Sequence, residues 1–179
     1  MPAELQGSLQ RRVIFFPGST IGNFEPVSAV NLLRRFKRLT GDDGGLLIGV
    51  DLKKDPWILL NAYDDKMGIT AEFNLNLLRR FNRELGANFN VSHFYHEALY
   101  NEREGRVEMH LVSRLNQLVR VAGESFRFRA GESIHTENSY KYSMAEFQEL
   151  AWAAGWALKR VWRDRNHMFG VFYLEPNLA

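Results

Sequence analysis

The 179-residue sequence contains no cysteine. That excludes a disulfide framework, a thiolate metal site and a thiol nucleophile. No apolar run reaches the roughly 20 residues that a membrane-spanning helix needs. The first ten residues lack the basic-then-apolar layout of a secretory leader. No membrane partner is expected, and the chain is read as cytoplasmic. An excess of charge is also lacking: 23 Lys and Arg against 21 Asp and Glu leave a net charge of +2. Without cysteine, few groups titrate between neutrality and pH 9, so this small excess is enough to set a pI near 9. The pI is therefore no sign of a nucleic-acid partner, and none is expected. The basic run Arg34, Arg35, Lys37 and Arg38 reads as a solvated helix face.

Several chemical motifs are missing as well. There is no Gly-x-Gly-x-x-Gly, no His-Glu-x-x-His and no Gly-x-Ser-x-Gly. His93, His96, His110, His135 and His167 are scattered along the chain. In a strand, His93 and His96 would face opposite sides. No metal site is expected. Asp64 and Asp65 are adjacent in a loop, where neighbouring acids seldom converge.

What is present is ample for a packed core, with 45% hydrophobic and 13% aromatic residues. The apolar run Val13 to Phe16 ends at Pro17-Gly18 and reads as a strand buried on both faces. Gly18 and Gly22 then bracket Ser19, Thr20 and Ile21, ahead of Asn23. Closely spaced glycines let backbone fold tightly or approach a ligand, and ligands in open α/β sheets bind beyond the carboxyl ends of strands. On composition alone, the same loop reads as ordinary connecting chain with Asn23 capping a turn.

Pro26 to Leu39 has helical spacing, with Val30, Leu33 and Phe36 inward. Leu46 to Leu52 is a second buried strand. Strand, helix, strand at this spacing is a βαβ unit, so the two strands are expected to be parallel. After Asp55-Pro56 the texture changes. Trp57 to Ala62 suits a short helix. Thr70 is placed to cap a helix over 71–85 with Leu75, Leu78, Phe81 and Leu85 inward. Val91 to Asn101, Arg106 to Arg114, Gln117 to Val121 and Phe126 to Ala130 alternate like half-buried antiparallel strands. Val107, Met109 and Leu111 share one face there. Ser143 and Glu146 form a capping box for a helix reaching Ala154. Leu158 to Trp162 and Phe169 to Leu174 read as a closing strand pair.

Four blocks then carry a family resemblance. They are Phe-Pro-Gly-Ser-Thr-Ile-Gly-Asn (Phe16 to Asn23), Gly-Val-Asp-Leu-Lys-Lys-Asp-Pro (Gly49 to Pro56), Ala-Tyr-Asp-Asp (Ala62 to Asp65) and Ile-His-Thr-Glu-Asn-Ser-Tyr-Lys-Tyr (Ile134 to Tyr142). In this order and spacing the chain resembles the histidine-specific, S-adenosylmethionine-dependent methyltransferases of ergothioneine biosynthesis, from about residue 11 to the end. The resemblance implies an α/β chain: the later part of a class I, Rossmann-like methyltransferase sheet with an inserted α+β antiparallel substrate-binding domain. The methyltransferase domain would take residues 1–52 and 142–179, and the insertion residues 53–141.

The same resemblance implies S-adenosylmethionine as cofactor and L-histidine as acceptor, with trimethylhistidine (hercynine) as product. Asn23 and Tyr63 would hold the amino acid's backbone end. Glu137 and Ser139 would hold the imidazole, Met109 would pack against the ring, and Gly18 would let its loop approach the cofactor. No catalytic acid or base is assigned. Spacing alone gives these residues plainer roles: Tyr63 as an amphipathic core residue, Met109 as core, and Glu137 and Ser139 as a solvated polar stretch. Family members also carry a long N-terminal portion with the glycine-rich cofactor turn. This chain begins at roughly the fourth strand of the sheet, so a C-terminal fragment is expected, partnered by a missing N-terminal half. Two other readings stay open: another aromatic acceptor such as tryptophan, or a non-catalytic binding and assembly module.

Overall fold

The computed structural model describes residues 11–177; the N-terminal stretch inspected for a leader lies outside them. The chain divides into two compact units, residues 11–54 with 139–177, and residues 55–138.

The first unit is built on a four-stranded mixed sheet. Its strands are β1 (Val13–Phe16), β2 (Gly45–Asp51), β8 (Trp156–Arg163) and β9 (Phe169–Pro176), in the order β1-β2-β9-β8. β1 and β2 pair in parallel through the crossover helix α1 (Pro26–Thr40), as the βαβ spacing predicts. β9 runs antiparallel to both β2 and β8. α1 opens on Pro26, whose fixed φ suits the first turn, and stops at Gly41. The core gathers Ile21, Leu33, Ile48, Phe147, Trp156 and Phe172. Each fully buried large side chain here contributes about 1.5–3 kcal/mol. The Trp156 indole is satisfied as well, donating to the Leu33 carbonyl at 2.9 Å. α4 (Met144–Ala153) starts with the reciprocal capping box of Ser143 and Glu146 that the sequence predicts.

β1 corrects one expectation. It is not buried on both faces: Val13 is 50% and Phe15 66% exposed. Side chains alternate along the strand: Ile14 and Phe16 pack against the core, while the face carrying Val13 and Phe15 is uncovered among the described residues.

The second unit contains α2 (Pro56–Tyr63), α3 (Ile69–Leu85), and the strands β3 (Phe94–Asn101), β4 (Arg106–Ser113), β5 (Gln117–Val121), β6 (Glu124–Phe128) and β7 (Ser133–Tyr140). β3, β4 and β7 form one sheet, and β5 and β6 form a separate hairpin. The chain returns to the first unit within β7, between Asn138 and Ser139. Leu78, Phe89, Phe94, Leu111 and Val119 make the second core.

Three local expectations change. The cap of α3 is not Thr70. Asp65 accepts from the backbone N–H of Ile69 at 3.1 Å and of Thr70 at 2.8 Å. Val91–His93 is a 3-10 turn ahead of β3, because Asn90 caps it at Ser92. Leu85 is 46% exposed, outside the inner stripe of α3 that Leu78 anchors.

Candidate functional site

The loop after β1 is shaped by two left-handed residues in succession, Gly18 (φ 74°) and Ser19 (φ 56°). Glycine adopts this conformation without cost; serine needs support. Ser19 has it, because its hydroxyl accepts from the backbone N–H of Asp51 at 2.8 Å. The loop is thereby tied to the C-terminal end of β2. Gly49 allows the approach: a Cβ there would sit 2.8 Å from the Phe169 ring and 3.3 Å from the Gly18 nitrogen. A 3-10 turn, Thr20–Asn23, follows, with Ile21 fully buried and Asn23 exposed.

Gly22 fixes where this turn lies. A Cβ at Gly22 would stand 2.7 Å from the Tyr140 carbonyl oxygen and 3.6 Å from the Ser139 hydroxyl. Within the first unit, the turn that ends in Asn23 therefore passes beside Ser139 at Gly22. Ser139 is 5% exposed, so it is not part of a solvated stretch.

A residue that sequence reading did not single out sits behind Ser139. Lys141 has a side chain only 1% exposed, and its ammonium lies 2.9 Å from the Asp51 carboxylate. The same ammonium donates to the Ser139 hydroxyl oxygen at 2.7 Å. Lys54 closes a second ion pair on Asp51. Buried charge persists only when paired, and Asp51 at the end of β2 provides the pairing. An ammonium only donates. Ser139 must accept from it, so the Ser139 proton is directed away from Lys141. Nearby, burial pushes the Tyr142 phenol up to about 12. Among the described residues, its hydroxyl has no hydrogen-bond partner.

In the second unit, Tyr63 is half-buried at the C-terminal end of α2. His96 explains its placement. A carbonyl only accepts, so His96 Nε2–H donates to the Tyr63 carbonyl at 2.8 Å. His96 Nδ1 then accepts from the Asn74 amide at 2.9 Å. Asn74 also donates to the His110 carbonyl at 3.2 Å. This buried chain of bonds fixes one tautomer of His96 and clamps the end of α2.

Met109 is 4% exposed in β4, in the buried alternation with Val107 and Leu111. The Thr136 hydroxyl donates to the Met109 carbonyl at 2.9 Å, which sets β7 beside β4 at that level. Glu137 follows Thr136 in β7 and is half-buried. The backbone carbonyl of Glu137 accepts from His135 Nε2–H at 3.2 Å. β7 carries no apolar alternation that would mark it as a strand in the sequence, because polar residues fall on both of its faces. Two open grooves, one including Gln117 and Phe128 and one including Arg11 and Trp152, contain none of the predicted residues.

Comparison with known proteins gives a consistent family. The family model described as histidine-specific methyltransferase, SAM-dependent, matches residues 2–176. A histidine N-alpha-methyltransferase of Mycobacterium tuberculosis is 43% identical over 164 residues, covering 90% of this chain and 51% of that protein. The histidine N-alpha-methyltransferase of Mycolicibacterium smegmatis is 40% identical over 163 residues, with the same 90% and 51% coverage. Ergothioneine biosynthesis protein 1 of Neurospora crassa is 34% identical over 171 residues, covering 94% of this chain and 19% of that protein. The chain spans about half the length of the two bacterial relatives.

Proposed function

The chain belongs to the family of SAM-dependent histidine-specific methyltransferases, and from that premise we propose that it serves an enzyme methylating the α-amine of L-histidine, with S-adenosylmethionine as donor and trimethylhistidine as product. When bound, the donor would supply a sulfonium-activated methyl group for displacement by the amine lone pair. Such a displacement depends chiefly on holding a deprotonated amine in line with the methyl group. The proposed roles of this chain's residues are to hold the acceptor and exclude water.

The observation that carries the reading is the polarity of Ser139. Imidazole presents one N–H donor and one bare nitrogen acceptor. Glu137 supplies a carboxylate that accepts. Ser139 supplies a hydroxyl whose oxygen is already engaged by Lys141, so its proton serves an acceptor. The two occupy alternate positions in sequence, one for each ring nitrogen. Indole offers a donor only, which favours histidine over tryptophan as the acceptor. Phenylalanine or leucine offers neither polar group a hydrogen-bonding atom, which disfavours them as acceptors.

Asn23 and Tyr63 are proposed to hold the carboxylate end with an amide and a phenol, which adds no second buried charge. Met109 offers a polarizable apolar surface to the ring. Gly18, with no Cβ on a positive-φ turn, lets the loop come close to the cofactor. In this proposal the second unit is a substrate-binding insertion in a class I methyltransferase domain, and the protein acts in the cytoplasm. Incubation with methyl-labelled S-adenosylmethionine and single amino acids tests the reading by mass spectrometry. Label is expected in histidine and not in tryptophan or phenylalanine; preferential labelling of tryptophan would overturn the acceptor assignment.

A further inference from the structure

On either side of Met109 in β4, and two residues before Glu137 in β7, Glu108, His110 and His135 come together. One ligand atom from each lies within 4.8 Å of the other two. We propose that these three side chains form a binding site for a borderline divalent transition-metal ion, Zn²⁺ in the first instance. Two imidazoles and one carboxylate are a familiar three-ligand set for zinc, leaving a fourth position open to water.

The hydrogen bonds indicate which atoms would bind. The Glu108 Oε1 oxygen accepts from Arg106 at 2.8 Å and from Asn101 at 3.0 Å. The other oxygen, Oε2, faces His110 Nε2 at 3.3 Å. The carboxylate is therefore anchored through one oxygen and presents the second.

His110 and His135 are arranged in a matching way. His110 Nδ1 lies 3.1 Å from the Ser133 hydroxyl. If zinc takes Nε2, the ring proton shifts to Nδ1, where the serine oxygen accepts it. His135 already directs Nε2–H at the Glu137 carbonyl, which leaves Nδ1 with the lone pair. Metal-bound histidines characteristically give their remaining N–H to an oxygen in this manner. The two rings stack, with centroids 4.5 Å apart and planes 20° from parallel. His135 is the exposed member and can tilt to converge on the ion. Arg106 beside the carboxylate weakens a cation's attraction, so the site would be selective by ligand type and not by charge. A hard ion such as Mg²⁺, which favours oxygen ligands, should not compete.

The test is calorimetric titration of the full chain with ZnCl₂ and, separately, MgCl₂. One zinc per chain is expected, with no magnesium binding. His135→Ala and His110→Ala should each weaken zinc by at least about tenfold, as loss of a ligand exceeds loss of an outer partner. His167→Asn, on the β8–β9 turn, should leave it unchanged. Histidine-ring NMR should show the His110 proton moving from Nε2 to Nδ1 as zinc is added. Absence of zinc binding, or binding that survives His135→Ala, would overturn the site and leave a stacked histidine pair only. Because His135 is exposed, its alanine variant keeps the test valid even if His110→Ala does not fold.

Discussion

At the scale of single residues, the account rests on how a few polar atoms are held. Lys141 is the clearest case. Its ammonium joins Asp51 at the end of β2 to the Ser139 hydroxyl. Lys141→Met removes one member of a buried ion pair while leaving the others in place. Such a loss costs about 3–5 kcal/mol, reduced here because Lys54 still neutralises Asp51. Chemical denaturation should show a destabilisation of about 3 kcal/mol at most. The KM for histidine should rise more than kcat falls, because Ser139 loses its fixed orientation. Gly22 gives a steric counterpart. Gly22→Ala would drive a methyl group into the Tyr140 carbonyl at 2.7 Å. A destabilisation of about 1–3 kcal/mol, the usual range for overpacking, should appear as a lowered Tm.

These residues were unequally legible in the sequence. Asn23, Tyr63, Glu137 and Ser139 stand in blocks whose order resembles the family, so they could be named without a structure. Lys141 could not, because lysine is seldom buried and one sequence does not reveal its pairing with an acid 90 residues earlier. His110 and His135 look scattered in the sequence for a related reason. They come from two strands 25 positions apart, and only the pairing of β4 with β7 brings them into contact.

At the scale of elements, termini explain more than interiors. The Asp65 carboxylate caps α3, and its pKa falls to about 2 because the Thr70 backbone N–H, the Thr70 hydroxyl and the Ile69 N–H all bond its charged form. The folded pKa lies below the ordinary value of 3.8. Its contribution to stability is therefore complete above about pH 4 and is lost as pH falls toward 2. Asp65→Asn should lower Tm at pH 7 and flatten the acid side of the stability profile between those limits. Ser143→Ala breaks the capping box of α4 and should cost about 1 kcal/mol, read by urea denaturation.

Sequence pattern gave the type of most of these elements, because apolar periodicity is strong in α1, α3, β2 and β4. It failed where pattern is weak. β7 has polar residues on both faces, and its strand character comes from pairing with β4. The predicted strand over 126–130 is shifted, because Ala122 and Gly123 both adopt positive φ and make a tight turn before Glu124. Alanine in that conformation carries no turn signal. Thr70 has a capping side chain, but α3 already begins at Ile69, and Asp65 accepts from the N–H groups of Ile69 and Thr70 from four and five residues back.

At the scale of the whole molecule, the chain has two compact units and spans about half the length of its bacterial relatives. Among the described residues, β1 is an edge strand of the first unit's sheet, with Val13 and Phe15 exposed. Exposed apolar edges invite pairing with another strand. Phe15→Lys should reduce concentration-dependent association in sedimentation velocity without lowering Tm, because Phe15 contributes little to the core. Among the described residues, no helix is long and apolar enough to cross a membrane.

The central claim is that Glu137 and Ser139 select histidine. The most direct measurement is calorimetric titration of the protein with L-histidine in the presence of S-adenosylmethionine, repeated with Glu137→Ala. The account predicts saturable histidine binding by the unaltered protein, loss of that binding in Glu137→Ala, and no comparable binding of phenylalanine. Equal histidine affinity in the two proteins, or no histidine binding by either, would contradict it.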